Sequence, residues 1–173
     1  TAFSARIENA LKENWDEILV VGHSFGAHIA VSALAQIERS AALDEAQANV
    51  GFLSLGQVIP MVSFLPNAGQ LRHDLYDISR STAIYWVNIT APGDGCSFSL
   101  CDPVAVSALP LAGQTGPLVL SAAFSQALSP TRWRRLRWRF FKLHFQYLCA
   151  FDETRHYDSV SYTHLTLPTI LLV

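Results

Sequence analysis

The chain has 173 residues, half of them hydrophobic, which suits one globular domain or part of one. Its formal net charge of -2 argues against a nucleic-acid partner, because phosphate binding requires a clear basic excess. Three cysteines without a CxxC pair or a histidine at zinc-ligand spacing predict reduced thiols in a cytoplasmic protein with no metal and no cofactor. No stretch approaches the roughly 20 apolar residues of a membrane span, and no signal peptide opens the chain.

The first half of the chain alternates between helical and strand-like patterns. Apolar residues at helical spacing predict helices over residues 2–14, 26–39 and 70–79. Short runs rich in β-branched residues predict buried strands over residues 17–21, 50–55 and 83–90. This alternation predicts an α/β fold, in which a parallel sheet carries helices on both faces.

The second half is less regular. Residues 92–117 are rich in Gly, Asp, Ser and Pro and are predicted to form a loop, whereas residues 131–150 are predicted to form one helix. Within that helix, residues 132–142 combine six cations with four aromatic side chains. Such a segment can make a peripheral contact with an anionic membrane, or its Arg stems can cover apolar core while their charged heads reach water.

The sequence GHSFG at residues 22–26 carries the strongest chemical signal in the chain. It follows a predicted strand and opens a predicted helix, which is the context in which G-x-S-x-G forms a nucleophile elbow. Gly22 and Gly26 leave room for the sharp turn, and Ser24 is then held at the carboxyl edge of the sheet as a candidate nucleophile. The backbone N–H of Phe25 would lie at a helix N-terminus and could stabilise an oxyanion. The alternative is a glycine-rich turn with an inert serine.

The histidines close to this motif are not the expected base. His23 and His28 are interpreted as packing or pocket-lining residues, because a base must approach Ser24 from another loop.

The stretch VVGHSFGAHIA resembles the α/β-hydrolase superfamily, and residues 17–151 resemble bacterial, lipase-like hydrolases of that superfamily. The resemblance implies a triad in the chain order nucleophile, acid, histidine. Asp102, in the sequence CDPV, is favoured slightly as the acid, and Asp94, in the turn PGDG, is the alternative. Each aspartate could instead cap local backbone N–H groups.

For the base, the resemblance favours His144, which follows both acids and has a tyrosine nearby. His156, or a histidine located beyond residue 158, is the alternative base, and His144 could equally be a packing residue on an aromatic helix face. The implied function is hydrolysis of carboxylic esters through an acyl-enzyme, with a small-molecule or lipid-like ester as substrate. A catalytically inactive binding scaffold and an acyltransferase are the alternatives.

Both ends of the chain suggest an excised piece of a longer protein. Residues 160–169 (VSYTHLTLPT) resemble an in-frame reading of a sequencing-library adapter, so residues 159–173 are predicted to be a non-native tail, and His164 is not considered catalytic. The alternative is a natural tail rich in Thr, Leu and Ile. Residues 1–158 would then be a partial α/β-hydrolase domain whose early strands precede Thr1. Because the second oxyanion donor of that fold follows an early strand, we expect the isolated chain to be inactive.

Overall fold

A parallel sheet forms the centre of the protein in the computed structural model, which describes residues 2–107, 112–153, 157 and 159 and the backbone of 169–172. Its strands are β1 (Glu17–His23), β2 (Asn49–Leu55), β3 (Ile84–Thr90), β4 (Leu118–Ser121) and β5 (Thr169–Leu172). They are arranged in the order β4-β3-β2-β1-β5, and every neighbouring pair is parallel. The carboxyl ends of all the strands therefore meet at one edge of the sheet.

Helices connect these strands. They are α1 (Ala2–Leu11), α2 (Gly26–Arg39), α3 (Ile59–Ser63), α4 (Gly69–Arg80), α5 (Pro103–Val106), α6 (Phe124–Ala127), α7 (Pro130–Leu136) and α8 (Phe140–His144). A 3₁₀ turn, Phe145–Leu148, follows α8 directly. Within the part of the chain that is described, none of the helices has the length and hydropathy needed to cross a bilayer.

Each face of the sheet has its own hydrophobic core, because alternate side chains of a strand point to opposite sides. Ile18 and Val20 of β1 join the core formed with α1, α2 and α4. Leu19 and Val21 join the core on the other face, which is built from α6, α7, α8 and the 3₁₀ turn. The predicted α/β class, with a parallel sheet covered on both faces, is confirmed.

The long helix predicted over residues 131–150 is wrong. Regular helix stops at Leu136, and Arg139 adopts a non-helical backbone (φ -108°, ψ 73°) before α8 begins at Phe140. Most helical stability in proteins comes from burying an apolar face, and Trp138, which lies in the break, contributes little because it is 72% exposed. The two short helices still reach the core through one leucine each, Leu136 and Leu143.

The segment predicted to be an adapter-derived tail includes β5, which pairs with β1. The origin of residues 159–173 stays a prediction, and His164 lies outside the described residues.

A buried polar network links β2, β3 and the loop that follows β3. The indole N–H of Trp86 donates to the Ser54 hydroxyl at 2.9 Å, and that hydroxyl donates to the Asn88 side-chain oxygen, also at 2.9 Å. The Asn88 amide nitrogen in turn donates to the backbone carbonyl of Cys101 at 2.9 Å. Each buried polar group in the network thus has a partner, and the loop is anchored to the sheet near its carboxyl edge.

Replacing Ser54 with alanine should destabilise the protein. The change leaves the buried Trp86 N–H without its acceptor, and an unsatisfied buried donor costs about 1–3 kcal/mol. Urea denaturation monitored by circular dichroism measures the loss. Ser125→Ala, at an exposed position, is the matched control and should leave the midpoint unchanged. Equal midpoints for the two variants would show that the network contributes nothing.

Candidate active site

Ser24 lies in the sharp turn between β1 and α2, in a backbone conformation that few non-glycine residues adopt. Its φ is +55°, in the left-handed region, and its backbone N–H donates to the Leu55 carbonyl of β2 at 2.9 Å. Such strain persists only where the surrounding structure imposes it, and it is common at functional sites. The side chain of Ser24 is half-buried at the carboxyl edge of the sheet.

The turn requires glycine at position 22. A Cβ added there would lie 2.7 Å from the Cα of Ala27 and 3.0 Å from its nitrogen, both of them backbone atoms of α2. The helix therefore starts in direct contact with the end of the strand. Phe25 is the N-cap residue of α2, so its backbone N–H lies at the positive end of the helix, where it can donate to an anion.

Asp94 and His144 form a buried pair at the same edge of the sheet. Asp94 lies in the loop after β3, His144 ends α8, and the carboxylate oxygen Oδ2 is 2.9 Å from the ring nitrogen Nδ1. Their side chains are 0% and 5% exposed. Because an ionised carboxylate can only accept a hydrogen bond, Nδ1 must carry the proton in this contact.

Two further donors hold the Asp94 carboxylate. The Tyr147 hydroxyl donates to Oδ2 at 3.0 Å, and the Cys96 backbone N–H donates to Oδ1 at 3.0 Å. Burial alone would raise the pKa of Asp94, but its hydrogen bonds with His144 and with the Cys96 backbone outweigh burial and lower that pKa. Asp94 is therefore an anion at neutral pH, and burial together with this anion raises the pKa of Tyr147, so the phenol stays protonated.

His144 lies beside the residues that flank Ser24. Its ring is 4.6 Å, centroid to centroid, from the ring of His23, and the His23 Nε2 donates to the His144 backbone carbonyl at 2.9 Å. Gly56 directly follows Leu55, whose carbonyl accepts from the Ser24 amide. Its φ is +51°, and there is no room for a Cβ at this position, because the Cβ would lie 3.1 Å from the His144 Cε1. The histidine is thus packed against both strand ends next to the turn.

The second ring nitrogen of His144 is chemically available. Nε2 is buried and makes no hydrogen bond within the described part of the chain. In the neutral ring with its proton on Nδ1, Nε2 carries a lone pair and can accept a proton from a neighbouring group. The arrangement can therefore act as a carboxylate-oriented general base.

His23 packs against this pair, in line with its interpretation as a packing residue. Its Nε2 must carry a proton because the carbonyl that it contacts only accepts, and burial lowers its pKa. The pKa of His28 is also lowered, mainly by burial. Both rings are therefore neutral at neutral pH.

The structure brings His144 together with Asp94, the alternative acid, and holds the favoured Asp102 elsewhere. The Asp102 carboxylate caps α5 by accepting from the Val104 N–H at 2.8 Å, and it also accepts from the Gln114 side chain at 3.0 Å. Oδ1 of Asp102 thus caps a helix N-terminus, as the other interpretation of these aspartates expected, and Oδ2 is the atom that accepts from Gln114. The alternative base, His156, lies outside the described residues.

Three groups at this position could in principle ligate a metal, since ligand atoms of Asp94, Cys96 and His144 all lie within 4.8 Å of one another. The chemistry fits a hydrogen-bonded pair better. Oδ2 of Asp94 and Nδ1 of His144 are hydrogen-bonded directly to each other at 2.9 Å, and burial with the neighbouring Asp94 carboxylate raises the pKa of the Cys96 thiol.

The sequence interpretation missed two contributors to the site, the Tyr147 hydroxyl and the tight packing at Gly56. The signal for Gly56 is its position directly after the strand predicted over residues 50–55, just as Gly22 directly follows the strand predicted over residues 17–21. No protein-family model matches the chain, and neither curated proteins nor solved structures gave a significant match.

Gly22→Ala should weaken the fold markedly. The new methyl group meets helix backbone that cannot move without shifting α2, and overpacking of this kind costs about 1–3 kcal/mol. Gly69→Ala is the matched control, because nothing lies within 4 Å of a Cβ at the first turn of α4, and it should leave stability unchanged or raise it by up to about 1 kcal/mol. The free energy of unfolding from urea titration measures both. Similar stabilities would mean that the close contact at Gly22 is not present in solution.

Proposed function

We propose that the protein is a serine hydrolase of the α/β-hydrolase type that cleaves carboxylic esters. Ser24 is the nucleophile, His144 the general base and Asp94 the acid that orients the base. The observation that carries the proposal is the buried Asp94–His144 hydrogen bond of 2.9 Å, at the edge of the sheet where Ser24 occupies a strained turn. The chain order of these three residues is also the order that the superfamily uses.

In the proposed reaction, the Ser24 hydroxyl oxygen attacks the acyl carbonyl carbon while its proton passes to the His144 Nε2. Asp94 stabilises the resulting imidazolium, and the Phe25 N–H donates to the oxyanion of the tetrahedral intermediate. The intermediate collapses when the leaving alcohol takes the proton from His144, which leaves an acyl group on Ser24. A water molecule then attacks the acyl carbon and gives a proton to His144. The bond between the Ser24 oxygen and the acyl carbon breaks, the Ser24 oxygen takes that proton from His144, and the acid is released.

Asp94 replaces Asp102 in this proposal for a physical reason. An acid in this role must be ionised and must accept from the Nδ1 of the base, and Asp94 meets both conditions. Tyr147 and the Cys96 N–H supply the additional hydrogen bonds that hold the carboxylate in place. Buried partners of this kind fix the orientation of the imidazole before substrate arrives.

Labelling by a fluorophosphonate probe tests the nucleophile. Ser24 should form a covalent adduct, because the serine oxygen displaces fluoride from the phosphorus of the probe while a positioned histidine takes the serine proton. Ser24→Ala should abolish labelling, whereas Ser125→Ala, which changes an exposed serine of α6, should label fully. Mass spectrometry of the labelled peptide identifies the site.

The labelling is to be run on the 173-residue chain and on any longer protein expressed from the full reading frame. Absence of labelling in the well-folded longer protein would contradict the proposal and favour an inactive binding scaffold. If labelling occurs, product analysis with added alcohols separates hydrolysis from acyl transfer: ester products would replace the hydrolase proposal with an acyltransferase.

A pair of isosteric variants separates the two candidate acids. Asp94→Asn should lower the rate of probe labelling by about 10⁴-fold, because the amide no longer selects the reactive tautomer of His144. Asp102→Asn should label at the wild-type rate, since asparagine caps a helix as well as aspartate does. The labelling rate constants measure this directly. A large loss in Asp102→Asn with none in Asp94→Asn would restore the acid that the sequence favoured.

A further inference from the structure

The break between α7 and α8 exposes a cluster of aromatic side chains. Phe141 is 77% exposed, Trp138 is 72% exposed, and Phe140 and Phe145 are each more than half exposed. Together with the cations among them, residues 134–145 are here named the aromatic–basic surface. Large apolar side chains that share one exposed patch indicate an interaction site, whereas scattered ones do not.

The charged side chains of this surface are all basic. Half of the twelve basic residues of the chain lie within residues 132–142, and residues 129–150 contain no Asp or Glu. Arg132 pairs with Asp152, but no described carboxylate lies within 4.0 Å of the other five cations of the segment. The guanidinium of Arg137 lies 5.3 Å from the ring centre of Trp138, so cations and aromatics are interleaved at the surface.

Arg134, Arg135 and Arg137 are exposed, and Leu136 and Leu143 belong to the core on this face. The aromatic–basic surface is therefore directed toward something outside the described fold.

We propose that the aromatic–basic surface docks on an anionic phospholipid bilayer. Unpaired cations next to exposed aromatic rings are complementary to such a surface, because the cations approach lipid phosphates while the rings enter the headgroup region. A bilayer is favoured over a nucleic acid because the remainder of the chain has more acidic than basic residues. A membrane contact needs only this local surface, since charges beyond about one Debye length are screened.

The surface adjoins the candidate active site. Phe140 lies 3.3 Å from the place of a Cβ on Gly95, next to Asp94, and His144 is the last residue of α8. A docked bilayer would therefore lie close to the Asp94–His144 pair. If the proposed hydrolysis is correct, its substrate is a lipid-like ester drawn from that bilayer. The docking itself does not depend on the hydrolysis.

Vesicle flotation of the full chain tests the proposal. The protein should float with phosphatidylcholine vesicles that contain phosphatidylserine, and should do so far less with phosphatidylcholine alone or at high salt. Each neutralised cation should lower the partition coefficient about fivefold, so Arg135→Gln with Arg137→Gln should lower it about 25-fold. Trp138→Ser with Phe141→Ser should also abolish flotation. Brominated lipid chains should quench tryptophan fluorescence in the wild type but much less in Trp138→Phe.

Matched controls lie elsewhere on the molecule. Tyr85→Ser removes an aromatic ring that is 66% exposed, and Arg6→Gln with Lys12→Gln removes two exposed charges; both should float like the wild type. Ser24→Ala should float as well, so loss of chemistry and loss of docking are distinguishable. Circular dichroism confirms that each variant is folded.

Three outcomes would overturn the proposal. The first is no flotation at low salt on anionic vesicles. The second is tight binding of a single-stranded oligonucleotide without flotation, which would identify a nucleic-acid surface. The third is self-association, seen by sedimentation, that Trp138→Ser with Phe141→Ser abolishes while flotation is absent, which would identify a second copy of the chain as the partner.

Discussion

The hydrogen bond between Asp94 and His144 joins two parts of the chain that are 50 residues apart. Much of the second half of the chain, where secondary structure is less regular, is organised around it. The loop after β3 supplies the carboxylate, and the helices that cover one face of the sheet supply the imidazole and the Tyr147 hydroxyl. A buried carboxylate without partners would be strongly unfavourable, so these groups must be brought together as the chain folds. The same contact leaves the other imidazole nitrogen, Nε2, buried and without a hydrogen-bond partner among the described residues.

Much of the sheet could be predicted from the sequence because its signals are local. β1, β2 and β3 are short runs of buried residues, and G-x-S-x-G between a strand and a helix specifies the tight turn at Ser24. β4 could not be predicted, because four residues after a proline-rich loop provide no periodicity. The break between α7 and α8 was also missed, because a run of aromatic and basic residues has helical spacing whether or not any face is buried.

The sequence alone does not identify the acid of the candidate site. Asp94 and Asp102 both follow β3, and nothing in their spacing says which one meets a histidine 50 or 42 residues later. One signal was present: Asp102 precedes Pro103, and Asp before Pro is a common start of a helix, with the carboxylate as its cap. The partner of Asp94 is determined by tertiary packing, which only the folded structure reveals.

The proposed chemistry requires that His144 carries its proton on Nδ1, toward Asp94, and keeps Nε2 free to accept another proton. Nitrogen-15 NMR of the histidine rings, assigned by comparison with His144→Gln, measures this most directly. We expect the neutral His144 ring to be protonated at Nδ1. Its proton resonance should show a strong hydrogen bond in the wild type and should disappear in Asp94→Asn. A ring protonated at Nε2, or a resonance that Asp94→Asn leaves unchanged, would contradict it.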